Sequence, residues 1–147
     1  MKKQLLFFIL LSGFVFVLQA QDPQWLNYTN GDVVNTVATE FDVIWIGTNG
    51  GLVEYDKITG YTKFYNKANS GLPANSVGSI AIDENGKKWM ACNGLTSFDG
   101  INWITYNTVN SGLSSTKIND ITLDGNGKKW ICTYEGVTVF DNSDWVV

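Results

Sequence analysis

The stretch Asp83-Glu84-Asn85-Gly86-Lys87-Lys88-Trp89 decides the fold, because it returns 41 residues later as Asp124-Gly125-Asn126-Gly127-Lys128-Lys129-Trp130. A second segment, Asn69-Ser70-Gly71-Leu72, recurs at the same spacing as Asn110-Ser111-Gly112-Leu113. Equal spacing at two separate sites indicates that a whole structural unit was copied, not a short motif.

A more divergent first copy lies upstream, where Trp45-Ile46-Gly47-Thr48 aligns with Trp89-Met90-Ala91-Cys92 at a spacing of 44 residues. A second aromatic series runs Trp25, Tyr61 in place of a tryptophan, Trp103 and Trp145; in three of these an aromatic residue follows three positions later, namely Tyr28, Phe64 and Tyr106. All six tryptophans therefore fall on two positions of one repeat. Units of ~40 residues that read as short strands are typical of a β-propeller, in which each unit is a blade.

The local chemistry of the second copy predicts four strands, at 77–83, 88–92, 95–98 and 103–106. Asn85-Gly86 and Asp99-Gly100 supply the tight turns that hairpins favour. The third copy repeats the pattern at 118–124, 129–133 and 137–140, with a stub at Trp145, and no window keeps the 3.6-residue apolar spacing of a helix. The predicted fold is all-β, a partial β-propeller of three four-stranded antiparallel blades in an open arc.

The predicted domain organisation is a signal peptide at 1–20 followed by a propeller segment at 21–147. Lys2 and Lys3 precede a short apolar stretch and a small-residue cleavage site, which indicates export and leaves no membrane span in the mature chain. The alternative is an uncleaved membrane anchor, which is less expected because the apolar stretch is short for a span and Ser12-Gly13 interrupts it. The blades are placed at approximately 33–65, 77–106 and 117–147, and 25–28 is interpreted as a closing strand for the last blade. Three blades do not close a ring, so the expected partner is either the remaining blades of a longer protein or another copy of the chain.

Composition excludes several functions. The chain has no His, its basic residues are all Lys, and acidic residues outnumber them, so nucleic-acid binding is not expected. The two cysteines, Cys92 and Cys132, fall at different offsets from their strand tryptophans and are predicted on opposite faces of equivalent strands, which argues against a disulfide. Neither a metal site nor a cofactor is predicted.

The repeated residues are interpreted mainly as scaffold. The tryptophans Trp25, Trp45, Trp89, Trp103, Trp130 and Trp145 are expected to pack blade against blade, and Asp83 and Asp124 to cap their hairpins. Lys87-Lys88 and Lys128-Lys129 are interpreted as solvated strand edges. The Asp-to-Trp stretch differs by one residue from the Asp-box of sialidases, no arginine cluster exists, and no catalytic set can be assembled, so the protein is predicted not to be an enzyme. Loop residues Asn69, Asn75 and Asn110 are the weak candidates for ligand binding.

The combined motifs resemble the two-component regulator propeller repeat. The likeness rests on Ile80-Ala81-Ile82-Asp83, Asn85-Gly86, Lys88-Trp89 and Asn93-Gly94-Leu95, with Trp45-Ile46-Gly47-Thr48-Asn49-Gly50-Gly51-Leu52 in the first copy. The resemblance implies an extracytoplasmic sensor propeller, often responding to polysaccharide fragments and attached to a hybrid histidine kinase in full-length relatives. It also occurs in exported surface proteins without a kinase. The functions expected are therefore ligand sensing, with an oligosaccharide as candidate ligand, or a structural or protein-interaction module.

Overall fold

The three copies of the repeat form three separate four-stranded antiparallel sheets. The computed structural model describes residues 33–147, and all regular secondary structure in that range consists of β-strands. Blade 1 contains β1 (Val34–Glu40), β2 (Val43–Thr48), β3 (Gly51–Asp56) and β4 (Thr62–Tyr65). Blade 2 contains β5 (Ile80–Ile82), β6 (Lys88–Ala91), β7 (Leu95–Phe98) and β8 (Trp103–Tyr106). Blade 3 contains β9 (Ile118–Leu123), β10 (Lys129–Thr133), β11 (Gly136–Phe140) and β12 (Trp145–Val146). The all-β fold class, with three blades in an open arrangement, is confirmed.

Three sequence predictions lie outside the described residues: the signal peptide 1–20, the closing strand 25–28 and the role of Trp25. Within the described range, no helix is long and apolar enough to cross a membrane.

Side chains alternate across each strand, so both faces of a blade can pack against neighbouring blades. We call the face toward the following blade in the chain the trailing flank, and the face toward the preceding blade the leading flank. One apolar core lies between blades 1 and 2, and a second lies between blades 2 and 3. The hydrophobic core therefore lies between the sheets, which is why a single blade has little core of its own.

Aromatic rings at four equivalent positions of the repeat build both cores. Between blades 1 and 2, Trp45 and Tyr65 of the trailing flank meet Phe98 and Trp103 of the leading flank. The Trp45 and Phe98 ring centroids are 6.1 Å apart, and Phe98 stacks on Trp103 at 4.0 Å. The second core repeats these contacts, at 5.8 Å and 4.2 Å respectively, with Trp89, Tyr106, Phe140 and Trp145. Offset and edge-on pairs of this kind add about 0.5–1.5 kcal/mol each beyond the area they bury.

The sequence alignment of the aromatic series is wrong by one residue in blade 1. The strand register pairs Leu52 with Tyr65, as it pairs Leu95 with Tyr106, so Tyr65 and not Phe64 is the counterpart of Tyr106. Tyr61 precedes β4 and is exposed, as is Phe64. The β3–β4 turn of blade 1 is longer than its counterparts, and that difference displaces the aromatic residues relative to the strand.

The first strand of blade 2 is shorter than predicted. It covers Ile80–Ile82 and not 77–83. The extended chain before it still bonds to its neighbour, because the Gly78 amide donates to the Ala91 carbonyl at 2.9 Å and the Ala91 amide to the Ser79 carbonyl at 3.0 Å. Val77 is fully buried in the first interblade core.

The loops between blades are anchored by the repeated Gly-Leu pairs. Leu72 and Leu113 are buried, one in each core. A Cβ on Gly71 would lie 2.3 Å from the Trp103 Cβ, and a Cβ on Gly112 would lie 2.3 Å from the Trp145 Cβ. Glycine is therefore needed here because the loop backbone runs directly against a strand tryptophan, which explains why this short motif recurs.

Candidate functional site

Each second-strand tryptophan is held by an acidic side chain at the end of the preceding strand. Trp89 Nε1 donates to Asp83 Oδ2 at 3.0 Å, and Trp130 Nε1 donates to Asp124 Oδ2 at 3.0 Å. In blade 1, where the turn is shorter, Trp45 Nε1 donates to Glu40 Oε2 at 2.8 Å. The longer glutamate side chain thus makes the same bond across a tighter turn.

The two aspartates also cap their turns. Asp83 Oδ1 accepts the amides of Asn85 and Lys87, both at 3.0 Å, and Asp124 Oδ1 accepts the two equivalent amides at 2.8 and 3.0 Å. The Trp130 hydrogen bond and the turn amides together lower the pKa of Asp124. Both carboxylates are thereby used in holding the turn and the indole ring.

Two lysines predicted at solvated strand edges are buried instead. Lys88 retains 6% and Lys129 retains 1% of its accessible surface. The prediction was wrong because both begin a second strand with their side chains on the leading flank, where the preceding blade covers them. Each ammonium lies 4.5 Å from the centroid of the preceding blade's tryptophan ring, Trp45 for Lys88 and Trp89 for Lys129.

These buried ammonium groups are compensated differently. Lys88 Nζ lies 2.6 Å from Glu40 Oε2 and donates to the Gly86 carbonyl at 2.7 Å. Lys129 Nζ donates to Asn142 Oδ1. Burial lowers the pKa of Lys129, and the negative charge of Asp83 acts in the opposite direction. A buried charge is tolerated when it is paired and hydrogen-bonded, and Lys88 meets both conditions. Lys129 has the Asn142 hydrogen bond and the indole ring of Trp89, but no carboxylate in direct contact.

The trailing flank of blade 3 differs from its counterparts in exposure. Trp45 and Trp89 retain 4% and 2% of their surface, whereas Trp130, at the same place in its blade, retains 43%. Val137 is also exposed, although its counterpart in blade 2, Leu95, is fully buried. The strand residues are equivalent, but the third tryptophan has no blade against it among the described residues.

The two cysteines lie in different environments. Cys92 is buried, its Sγ lies 3.1 Å from the Ala74 carbonyl oxygen, and burial raises the pKa of its thiol. Cys132 is exposed on the trailing flank of blade 3, at the place that Ala91 occupies in blade 2. Both are free thiols.

The three asparagines proposed for ligand binding are engaged within their loops. Asn69 Oδ1 accepts the Asn66 amide at 2.7 Å, and its Nδ2 donates to the Phe64 carbonyl at 3.0 Å. Asn110 makes both equivalent bonds, at 2.7 and 3.0 Å. Asn75 Oδ1 accepts the Lys67 amide at 3.0 Å. Asn69 and Asn75 thus hold the adjacent amides of Asn66 and Lys67 in the loop between blades 1 and 2, whereas Asn110 lies in the loop between blades 2 and 3, and these hydrogen bonds shape the loop backbone.

A cleft of about 240 Å³ lies at the junction of blades 1 and 2. Its lining combines aromatic rings with two acidic and two basic side chains: Glu40, Val43, Trp45, Glu54, Lys63, Tyr65, Lys88, Phe98 and Gly100. The Tyr65 hydroxyl donates to Glu54 Oε2 at 2.6 Å, and Lys63 Nζ lies 4.7 Å from the centroid of the Tyr65 ring. Burial, followed by the interaction with Glu54, raises the pKa of Tyr65 well above its ordinary value.

The cleft is also where the first blade departs from the repeat. In blade 1 the register places Glu54 and Lys63 in line with the strand tryptophan. In blade 2 the same two places hold Ser97 and Ile104, and in blade 3 they hold two valines. A departure from the repeat at adjacent positions is a signal that the sequence contains, and it could have located this cleft once the strands were aligned.

Side chains that could bind a metal ion do not converge in the described residues. Within 33–147, no set of three or more His, Cys, Asp and Glu side chains is placed to hold a metal ion. In the cleft, Lys88 is paired with Glu40, whereas Glu54 accepts the Tyr65 hydroxyl and Lys63 lies over the Tyr65 ring.

Stacked four-stranded blades with two interblade cores define the chain as a propeller segment. No family model matches it, and no curated protein matches it. Among solved structures, it is similar to the extracellular domain of hybrid two-component system BT3049 from B. thetaiotaomicron, with 29% identity and a TM-score of 0.70 over 78% of this chain and 17% of that chain. It is also similar to the extracellular domain of BT4673 from the same organism, with 27% identity and a TM-score of 0.59 over 72% and 15%.

A third likeness, to the surface component PorZ of the type IX secretion system of Porphyromonas gingivalis, has 21% identity and a TM-score of 0.64 over 77% of this chain and 18% of that one. At that identity the likeness concerns the fold alone. The two Bacteroides structures confirm the resemblance to the two-component regulator propeller family. The chain spans about a sixth of the length of these structures.

Proposed function

We propose that the chain is a non-catalytic extracytoplasmic propeller segment of a ligand-sensing protein. The observation that carries the proposal is the likeness, at 29% identity and a TM-score of 0.70, to the extracellular domain of a hybrid two-component system. That extracellular domain is about six times as long as the matched segment, so we expect the segment to act with further blades and, in a full-length relative, with a histidine kinase module. Export to the periplasm or the cell surface is part of this proposal.

The candidate ligand is an oligosaccharide, and we place it at the cleft between blades 1 and 2. Glu54 and Lys63 offer hydrogen-bond acceptors and donors for sugar hydroxyls, and the Tyr65 ring provides an aromatic wall. Among the three described blades, only blade 1 has charged side chains at these two positions, as expected if Glu54 and Lys63 serve ligand binding and not the packing of blades. Asn69, Asn75 and Asn110 remain the alternative site, on the loops.

The test uses the repeat as its own control. The full chain is screened on a glycan array, and hits are titrated by calorimetry for the native protein and for Glu54→Ser and Lys63→Ile. These changes install the residues that blade 2 already carries at the same places, so the fold should tolerate them. We expect either change to weaken binding at least about tenfold, since each removes a charged hydrogen-bonding group.

Asn75→Thr, which copies Thr116 from the next loop, separates the two candidate sites. Loss of binding in this variant with normal binding in Glu54→Ser would move the ligand to the loops. A flat response of the native protein across broad glycan panels would contradict the sugar-sensing proposal.

A second candidate function is a protein-interaction module of an exported surface protein. The exposed Trp130 and Val137 on the trailing flank of blade 3 favour it, because large apolar groups at this place are buried in the other two blades. Sedimentation velocity over a wide concentration range tests the self-association version. If the protein is a monomer at the highest concentration, self-association is contradicted, and the flank would have to bind a different protein.

A further inference from the structure

The interblade lysines follow one positional rule. Lys88 and Lys129 each stand directly before the second-strand tryptophan of their own blade, and each is buried over the tryptophan of the preceding blade at 4.5 Å. The tryptophan beneath the lysine donates a hydrogen bond to a carboxylate in each case, Trp45 to Glu40 and Trp89 to Asp83. A cation that lies over an indole ring and near a carboxylate is stabilised by both, most strongly when water is excluded.

Blade 3 has the tryptophan and the carboxylate of this arrangement on its trailing flank, but no lysine over them among the described residues. Trp130 is bonded to Asp124 at 3.0 Å, as in the two completed interfaces, yet retains 43% of its surface. Cys132 and Val137 beside it are exposed as well. In the part of the chain that the structure describes, no lysine lies over Trp130.

We propose that the trailing flank of blade 3 is a docking surface for a further four-stranded blade that carries a lysine at the start of its second strand. The inference deepens the interaction function above and rests on it. Charge complementarity and continuity with the two completed interfaces specify this occupant: an ammonium group for the Trp130–Asp124 pair, and apolar side chains for Val137.

The first blade of a second copy does not offer this chemistry. Ile44 occupies the position before Trp45, where blades 2 and 3 have lysine. On the same flank of blade 1, Ile46 and Val53 are already buried. The flank therefore selects a lysine-bearing blade over the leading face of this chain.

The experiment extends the full chain after Val147 with a copy of residues 106–147, which supplies a fourth blade. A covalent blade is used because an isolated four-stranded sheet without its neighbours is at best marginally stable. The position equivalent to Lys129 in the added blade is kept as lysine or changed to methionine or isoleucine, and the added cysteine is changed to serine.

The readout is the rate at which a maleimide alkylates Cys132, since Cys92 is buried and reacts slowly. We expect the lysine blade to protect Cys132 strongly relative to the unextended chain, and the methionine blade to protect it about tenfold less, the fold-change expected for loss of a desolvated cation–π contact. Asp124→Asn with the lysine blade should also weaken protection, because it removes the receiving charge without altering the added blade.

The alternative outcomes are distinguishable. Equal protection by the lysine, methionine and isoleucine blades would overturn the lysine rule and leave the interaction function standing. No protection by any blade would overturn both. Protection of Cys132 in the unextended chain that grows with protein concentration would identify a second copy as the occupant and overturn the proposed selectivity.

Discussion

The buried pair of Lys88 and Glu40 offers the sharpest test of how the blades adhere, through Lys88→Met. Methionine keeps the length and apolar stem of lysine and removes the ammonium. The two side chains retain 7% and 18% of their surface, and their charged atoms are 2.6 Å apart. Removing one partner of a fully buried pair costs about 3–5 kcal/mol, because the other charge is left without compensation.

Glu40 is not fully buried and still accepts the Trp45 indole N–H at 2.8 Å, so the cost should lie at or below the lower end of that range. We expect Lys88→Met to lower the free energy of unfolding by about 2–3 kcal/mol. Urea denaturation followed by circular dichroism measures this, with Lys128→Met as the matched control at an exposed lysine, expected within about 0.5 kcal/mol of the native protein.

A double-mutant cycle with Glu40→Gln identifies the cause. If the penalty comes from an unpaired carboxylate, Glu40→Gln should recover most of the stability in the Lys88→Met background and should itself be destabilising in the native background. A Lys88→Met variant as stable as the Lys128→Met control would refute the reasoning, and so would a coupling energy below about 0.5 kcal/mol in the cycle.

Three further predictions concern the exposure of the strand tryptophans, an interblade glycine and the acid residues of two turns. Trp89→Ala should cost about 3–5 kcal/mol in urea denaturation, whereas Trp130→Ala, at the equivalent exposed site, should cost under about 1.5 kcal/mol; similar losses would contradict the burial difference. Gly112→Ala should cost about 1–3 kcal/mol or more, because the new methyl group meets a strand tryptophan, and a neutral result would show that the loop can move away. Backbone amides in the turns lower the pKa of Asp99 and Asp141 to about 2 from 3.8. Because the folded-state pKa lies below the unfolded value, their stabilisation is complete above pH 3.8 and is lost as the pH falls toward 2. The urea midpoint should fall in that window, and the double variant Asp99→Asn with Asp141→Asn should show a shallower fall; an unchanged slope would exclude these turns as the cause.

The strands were predictable where the two near-identical copies agree. The third strand, Leu95–Phe98, and the fourth, Trp103–Tyr106, have the bounds that the sequence indicates, because a tight turn with Asp and Gly separates two short segments that begin or end with large apolar residues. The aromatic series failed in blade 1, where a longer turn shifts Tyr65 by one position. Local alternation could not reveal this, since the register is fixed by cross-strand pairing with Leu52.

The burial of the lysines could not be read from one copy of the repeat, because charge and a neighbouring turn both favour a solvated interpretation. Their burial follows from the stacking of one sheet on the next, which places the leading flank of a blade over the tryptophan of its predecessor. The charged cleft is a related case: Glu54 and Lys63 look like ordinary strand-face residues until the register sets them beside Trp45.

The contrast between the cleft and the flank separates two kinds of information in a repeat. Residues that recur, such as the tryptophan, its acid and the following blade's lysine, specify how one blade binds the next, and they predict the chemistry of a partner for blade 3. Residues that occur once, such as Glu54 and Lys63, are not required for stacking, because blade 2 packs against blade 3 with serine and isoleucine in their places. If Glu54→Ser and Lys63→Ile leave the stability unchanged while abolishing ligand binding, the unique residues serve recognition, and the recurring ones serve assembly.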